Sequence, residues 1–104
     1  MIKILNLGDL KARFLYRVEK GDSLESICER FHASKSYIVF LNCLTKEPLE
    51  GESLLIEKAN GREYVVKPGD TLQKIAGGDE EALRRIMSEN KIDEVYFGQT
   101  IYVG

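Results

Sequence analysis

The chain has little of what most catalytic chemistry needs. Its 104 residues include one histidine, His32, and two cysteines, Cys28 and Cys43. A Cys–His nucleophile pair would have to be Cys28 with His32, near a helix end and with no third member to orient them. The same residues fall short of the about four ligands of a structural zinc site. Acidic side chains are scattered or sit at helix starts, and they suggest no glycosidase pair. The expectation is therefore no enzyme, no metal and no cofactor. No stretch approaches the roughly 20 apolar residues of a membrane span. Residues 1–9 lack the basic cluster, long apolar stretch and small-residue cleavage site of a secretory signal, so the expected place of synthesis is the cytoplasm. A net charge of -2, with acids and bases interspersed, leaves no basic stripe. That argues against nucleic acid and against an anionic membrane surface as partners.

What is present is an internal repeat. Tyr16, Val18, Gly21, Asp22, Leu24, Ile27, Ile38 and Asn42 return as Tyr64, Val66, Gly69, Asp70, Leu72, Ile75, Ile86 and Asn90, each 48 positions later. Two units of such size fill the sequence, and each is near the lower limit at which a core alone holds a fold. Cys28 aligns with Ala76, where a small apolar residue is wanted, and neither cysteine has a cysteine counterpart. The reading is a buried thiol, with a disulfide or a reactive site as the alternatives.

Each unit opens with alternating aromatic and β-branched residues that run into Gly21 or Pro68-Gly69, a short strand ending in a turn. Asp22 three residues before Glu25, and Asp70 three before Gln73, resemble capping boxes at the start of a helix. Leu24, Ile27 and Cys28 then share one face, as do Leu72, Ile75 and Ala76. Phe31-His32-Ala33 ends the first helix in unit one and Gly77-Gly78 ends it in unit two. Ser34 and Asp79 are the expected caps of a second helix, whose stripe in unit two is Leu83, Ile86 and Met87. Residues 54–56 and 100–103 supply closing strands. The fold class is α+β: two tandem βααβ units, each a two-stranded antiparallel sheet with two helices on one face.

The boundaries follow as 1–15 for an apolar N-terminal segment, 16–57 for unit one, 58–63 for a short Asn-Gly linker and 64–104 for unit two. Asn60-Gly61 between two strand-like runs predicts a hairpin that restricts how the units sit. Residues 1–15 are too apolar for a free tail. They are expected to pack on unit one, whose second helix carries the extra apolar residues Tyr37, Phe40 and Leu41; the alternative is a protein partner or a homodimer through those residues.

The motifs Tyr16-x-Val18-x-x-Gly21-Asp22-Ser23-Leu24-x-x-Ile27-Cys28 and Tyr64-Val65-Val66-Lys67-Pro68-Gly69-Asp70-Thr71-Leu72-x-x-Ile75-Ala76 resemble the lysin motif (LysM). An Asn follows each Gly by 21 residues, and a Gly-x-Ser/Thr-Leu/Ile entry precedes each closing strand. The resemblance implies a non-catalytic binder of N-acetylglucosamine-containing glycan, peptidoglycan or chitin. It implies a shallow groove between the first strand–helix loop and the second helix–strand loop. Its residues would be Gly21, Asp22, Ser23 and Leu24 with Asn42, Cys43, Leu44 and Thr45, and Gly69, Asp70, Thr71 and Leu72 with Asn90, Lys91, Ile92 and Asp93. Open N–H groups at a helix start suit an acetamido carbonyl, and Gly permits close approach. The same residues have structural readings: Asp22 and Asp70 as caps, Leu24 and Leu72 as core, Asn42 and Asn90 as helix terminators. The rival function is a protein adaptor using this fold, as in spore-coat, phage or secretion-machine assembly, and association with a spore or cell wall fits the first reading.

Overall fold

The computed structural model describes residues 13–104, and the repeat folds twice. Unit one is β1 (Arg13–Arg17), α1 (Leu24–Phe31), α2 (Lys35–Asn42) and β2 (Ser53–Glu57). Unit two is β3 (Arg62–Val65), α3 (Leu72–Ile75), α4 (Glu80–Asn90) and β4 (Thr100–Val103). β1 pairs antiparallel with β2, Leu15 opposite Leu55, and β3 pairs antiparallel with β4, Tyr64 opposite Ile101. Alternation in the closing strand sends Leu54 and Ile56 into the first core beside Val18, Ile27 and Ile38. In the second core Ile101 and Val103 meet Val66, Leu72 and Ile86. Leu83 and Met87 pack against that core half-buried, as their spacing predicts. No helix among the described residues is long and apolar enough to cross a membrane.

The helix ends follow local chemistry, with one correction. Ser34 and Asp79 cap α2 and α4 as expected. The caps of α1 and α3 are Ser23 and Thr71, not Asp22 and Asp70. Ser23 Oγ accepts from Ser26 N–H at 3.0 Å while Ser26 Oγ accepts from Ser23 N–H at 3.0 Å, a reciprocal box one residue later than the acidic pattern suggests. The aspartates are engaged elsewhere, as described below. α1 ends where His32 takes the left-handed conformation, φ 55°, and α3 stops before Gly77 and Gly78, φ 69° and 82°.

A second correction concerns the linker. β2 and β3 lie in different sheets, so Asn60-Gly61 turns between sheets and closes no hairpin. β2 pairs with β1 and β3 with β4, and on the outer edge of β2 the Asn42 side chain takes Leu55 N–H and C=O. The linker is tied down by His32 instead: Ala59 N–H donates to His32 C=O at 2.8 Å, and His32 Nε2 lies 3.0 Å from Gly61 C=O, so that nitrogen carries the proton. The imidazole meets the buried Tyr102 ring edge-on at 4.6 Å between centroids. Asn60 Nδ2 donates to Glu89 Oε1 at 3.1 Å, and Lys91 Nζ sits 4.6 Å from the Phe40 ring centroid. The units therefore touch through α2, the linker and α4.

The expected packing of residues 1–15 falls largely outside the described residues. Arg13, Phe14 and Leu15 belong to β1, which carries unit one back past Tyr16. Of the three apolar residues read as a cover or partner surface, Tyr37 and Leu41 are half-buried against the first core. Phe40 is exposed apart from Lys91.

Candidate functional site

Gly21 and Gly69 lie in the loops between first strand and first helix with φ of 88° and 84°. A side chain at either would meet nothing within 4 Å, so both glycines serve the turn and leave open space above it. The next residue is an aspartate, and its role repeats. Asp22 Oδ2 accepts from Tyr16 O–H at 2.6 Å and from Glu19 N–H at 2.8 Å. Asp70 Oδ2 accepts from Tyr64 O–H at 2.5 Å and from Lys67 N–H at 2.8 Å. Each pair latches the loop to the strand that precedes it. Unit one adds Arg30, whose guanidinium donates to Asp22 Oδ1 and to Tyr16 Oη, both at 2.9 Å.

The phenol and then the backbone N–H hold both carboxyls below the usual carboxylate range. A folded-state pKa lowered in this way contributes stability that is complete above the unfolded value, about 3.9, and is lost as pH falls through the folded value. Replacing Asp70→Asn is expected to reduce the melting temperature near neutral pH and to flatten its fall between about pH 5 and about pH 2. Melting curves across that range check it; an acid limb as steep as the parent's would contradict the latch.

The turns that leave α2 and α4 carry the other half of each predicted site. Cys43 and Lys91, each at φ 53°, take the left-handed cap position that the sequence suggests for Asn42 and Asn90. The asparagines close the last helical turn and use their side chains. Asn42 Nδ2 donates to Ile38 C=O and Leu55 C=O, both at 2.9 Å, and its Oδ1 accepts from Leu55 N–H at 2.8 Å. Asn90 repeats this with Ile86 C=O at 2.8 Å, Tyr102 C=O at 2.9 Å and Tyr102 N–H at 2.9 Å. Each stitches the second helix to the closing strand. Leu24, Leu72 and Asn90 are buried, so their side chains face the protein. Gly21, Ser23, Cys43, Thr45, Gly69, Thr71, Lys91 and Asp93 are exposed, while Asp22, Asn42, Leu44, Asp70 and Ile92 are partly covered.

The two units also differ at the start of their first helix. In unit one the Leu24 N–H at the start of α1 donates to the Glu47 carboxylate. Glu94 stands four residues before Gly98 as Glu47 stands four before Gly51, and both are exposed, yet among the described residues no side chain takes the Leu72 N–H. Glu47 is not singled out by its sequence, since loop conformation decides which carboxylate reaches a helix start. The Tyr–Asp latches have a signal, because both members recur at the same spacing of six.

Both cysteines are free. Cys28 is buried as expected, and burial pushes its thiol up to about 11, which leaves it protonated and inert at neutral pH. Cys43 is exposed, so the buried-thiol reading does not extend to it. Among the described residues no group of three His, Cys, Asp or Glu side chains is placed to hold a metal.

Two βααβ units, each with a glycine loop after its first strand and a left-handed turn at the exit of its second helix, define a tandem repeat module. The protein belongs to the LysM domain family, whose sequence profile matches residues 16–44 and 64–104. It is similar to the endolysin of Bacillus phage PZA, 31% identical over 93 residues, which cover 83% of this sequence and 36% of that protein. It is also similar to the N-acetylmuramoyl-L-alanine amidase sle1 of Staphylococcus saprophyticus, 33% identical over 101 residues, covering 85% of this sequence and 31% of the relative. Among solved structures it matches the spore cortex-lytic enzyme SleL of Bacillus cereus at 26% identity and TM-score 0.43, over 89% of this sequence and 23% of the enzyme. The SleL of Bacillus megaterium matches at 27% identity and TM-score 0.44, over 88% and 22%. The sequence thus spans about a third of the curated relatives it matches.

Proposed function

We propose that this protein is a non-catalytic glycan-binding module that holds N-acetylglucosamine-containing polymer, peptidoglycan first and chitin-like polymer second, at the cell wall. The observation that supports the reading is the doubled βααβ unit of a LysM protein, similar over most of its length to part of an endolysin and of an N-acetylmuramoyl-L-alanine amidase. In each groove the glycine loop, Gly21 to Leu24 or Gly69 to Leu72, offers backbone N–H groups to an acetamido carbonyl. The facing turn, Asn42 to Thr45 or Asn90 to Asp93, offers backbone carbonyls to the acetamido N–H. The Tyr–Asp latches hold the glycine loops in shape before ligand arrives, which lowers the ordering cost of binding. Two weak grooves on one polypeptide raise the hold on a polymer through effective concentration.

Glu47 makes the grooves unequal. Its carboxylate occupies an N–H that an acetamido carbonyl would need, so unit two is expected to bind more tightly than unit one. Titrating isotope-labelled protein with chito-oligosaccharides and soluble muropeptides, and following backbone amide shifts, tests both statements. Shifts at 69–72 and 90–93 should precede those at 21–24 and 42–45, and Glu47→Ala should strengthen unit-one binding about fivefold. Equal affinities in the two units, unchanged by Glu47→Ala, would remove this role from Glu47. No shifts at millimolar ligand would overturn the glycan reading for these ligands and turn the search to a protein adaptor role.

A further inference from the structure

A cavity of about 240 Å³ lies between the units and belongs to neither groove. Unit one contributes Glu25 and Glu29 from α1 and Lys35 from the start of α2; unit two contributes Tyr96, Phe97 and Tyr102. Three features make it more than a gap. First, Tyr96 and Phe97 at its rim are 68% and 71% exposed, two adjacent large rings left in water. Their turn is pinned: Gly98 N–H donates to Val66 C=O at 2.9 Å, Gln99 N–H to Tyr96 C=O at 3.1 Å, and Tyr96 N–H to Gln99 Oε1 at 3.1 Å. The rings are thus presented on a backbone that is already fixed.

Second, Tyr102 is 3% exposed, yet its hydroxyl makes no hydrogen bond among the described residues. No fully buried polar side-chain atom there is left unpaired, so this hydroxyl keeps some access to solvent, and Tyr102 lines this cavity as well as a smaller one beside Asn60 and Arg85. Burial raises the phenol to about 12, with the charge of Glu63 and then the nearby Cys28 and Glu29 of the lining adding to the rise, so the hydroxyl keeps its proton to donate. A half-enclosed hydroxyl with no partner among the described residues gains a bond from a ligand hydroxyl. Third, the cavity touches both grooves along the sequence. Glu25 follows Leu24 of the first glycine loop, and Tyr96 lies three residues beyond Asp93 of the second groove.

Aromatic faces, a phenol and carboxylates around a small cavity suit a sugar ring, which presents C–H faces and hydroxyl edges together. The lining holds two carboxylates and one ammonium, with Lys35 Nζ 3.8 Å from Glu25 Oε1, and this excess of negative charge disfavours an acidic ring. We propose that the inter-unit cavity is a third subsite, which takes one neutral pyranose ring of the glycan strand against Tyr96 and Phe97 with the Tyr102 hydroxyl bonded to a ring hydroxyl. This rests on the glycan reading of the grooves. It adds that one strand passes between the units and that an N-acetylglucosamine ring, not a carboxylate-bearing muramic ring, occupies the middle.

The test is amide-shift titration of the 104-residue protein with chito-oligosaccharide. Shifts at Glu25, Glu29 and Lys35 are expected together with those of the grooves. Tyr96→Ala with Phe97→Ala should weaken binding about tenfold and abolish the cavity shifts. Tyr102→Phe keeps the ring against His32 and should weaken binding about fivefold with the melting temperature unchanged. Groove shifts with a silent cavity would overturn the subsite and leave the groove reading standing. Cavity shifts indifferent to all three substitutions would also overturn it, and silence at both places would overturn both proposals.

Discussion

Replacing Asn90→Ala is expected to cost about 3 kcal/mol and to lower the melting temperature by about 15 °C. The residue is 1% exposed, and its amide makes three hydrogen bonds that join α4 to β4. Alanine leaves Tyr102 N–H and C=O without their side-chain partners on the inner side of a short two-stranded sheet, where water does not replace them. The loss should be regional, because the two cores are separate clusters. Hydrogen exchange should therefore show the Tyr102 amide losing protection while Leu55, its counterpart in unit one, keeps it. Asn42→Ala removes the same three bonds from a half-buried site, and its effect should be smaller. A melting temperature within about 2 °C of the parent for Asn90→Ala would show that the stitch is replaced by solvent or by a shifted strand.

Gly61→Ala should be the next most damaging change, at about 2–3 kcal/mol. Gly61 has φ 90°, and a Cβ there would lie 2.3 Å from the Val103 carbonyl oxygen and 2.7 Å from its carbon. Both are backbone atoms of β4, so no rotamer change relieves the clash. The turn must move, and the His32 Nε2 contact to Gly61 C=O moves with it. Gly51→Ala is the control, since its φ is 92° but nothing lies within 4 Å of the added carbon. That variant carries only the left-handed penalty, about 1 kcal/mol. Thermal melts separate the two, and the His32 imidazole signals should shift in Gly61→Ala alone. Equal destabilisation by both would mean that steric fit at the junction does not matter.

The parts of the fold that are legible in the sequence are those it states twice. Order of elements and core positions such as Ile38 and Ile86 rest on short-range rules sampled in both units, while the glycine end of α3 is a strong local signal present in unit two alone. The caps of α1 and α3 fall one residue later than the acidic pattern suggests, for a specific reason. Gly-Asp-Ser and Gly-Asp-Thr each offer two adjacent capping residues, and propensity does not choose between them; a tyrosine six residues upstream does, by claiming the aspartate. Asn60-Gly61 has the composition of a hairpin turn, but strand pairing is a non-local choice, and β2 has a better partner in β1. His32 reads locally as a helix end, and nothing local shows that its ring also bridges to Gly61 and Tyr102. For the groove, the glycine loops and helix exits are visible as motifs. The Glu47 contact is not, because it depends on how an irregular loop folds back.

The central claim is that the protein holds wall glycan through its grooves, and the most direct test is co-sedimentation with purified, protein-free peptidoglycan. The account expects the protein in the pellet at moderate salt, released by excess soluble chito-oligosaccharide and unaffected by an equal concentration of a neutral hexose polymer lacking acetamido groups. A protein that stays in the supernatant, or one released by salt alone and indifferent to the competing sugar, would contradict it.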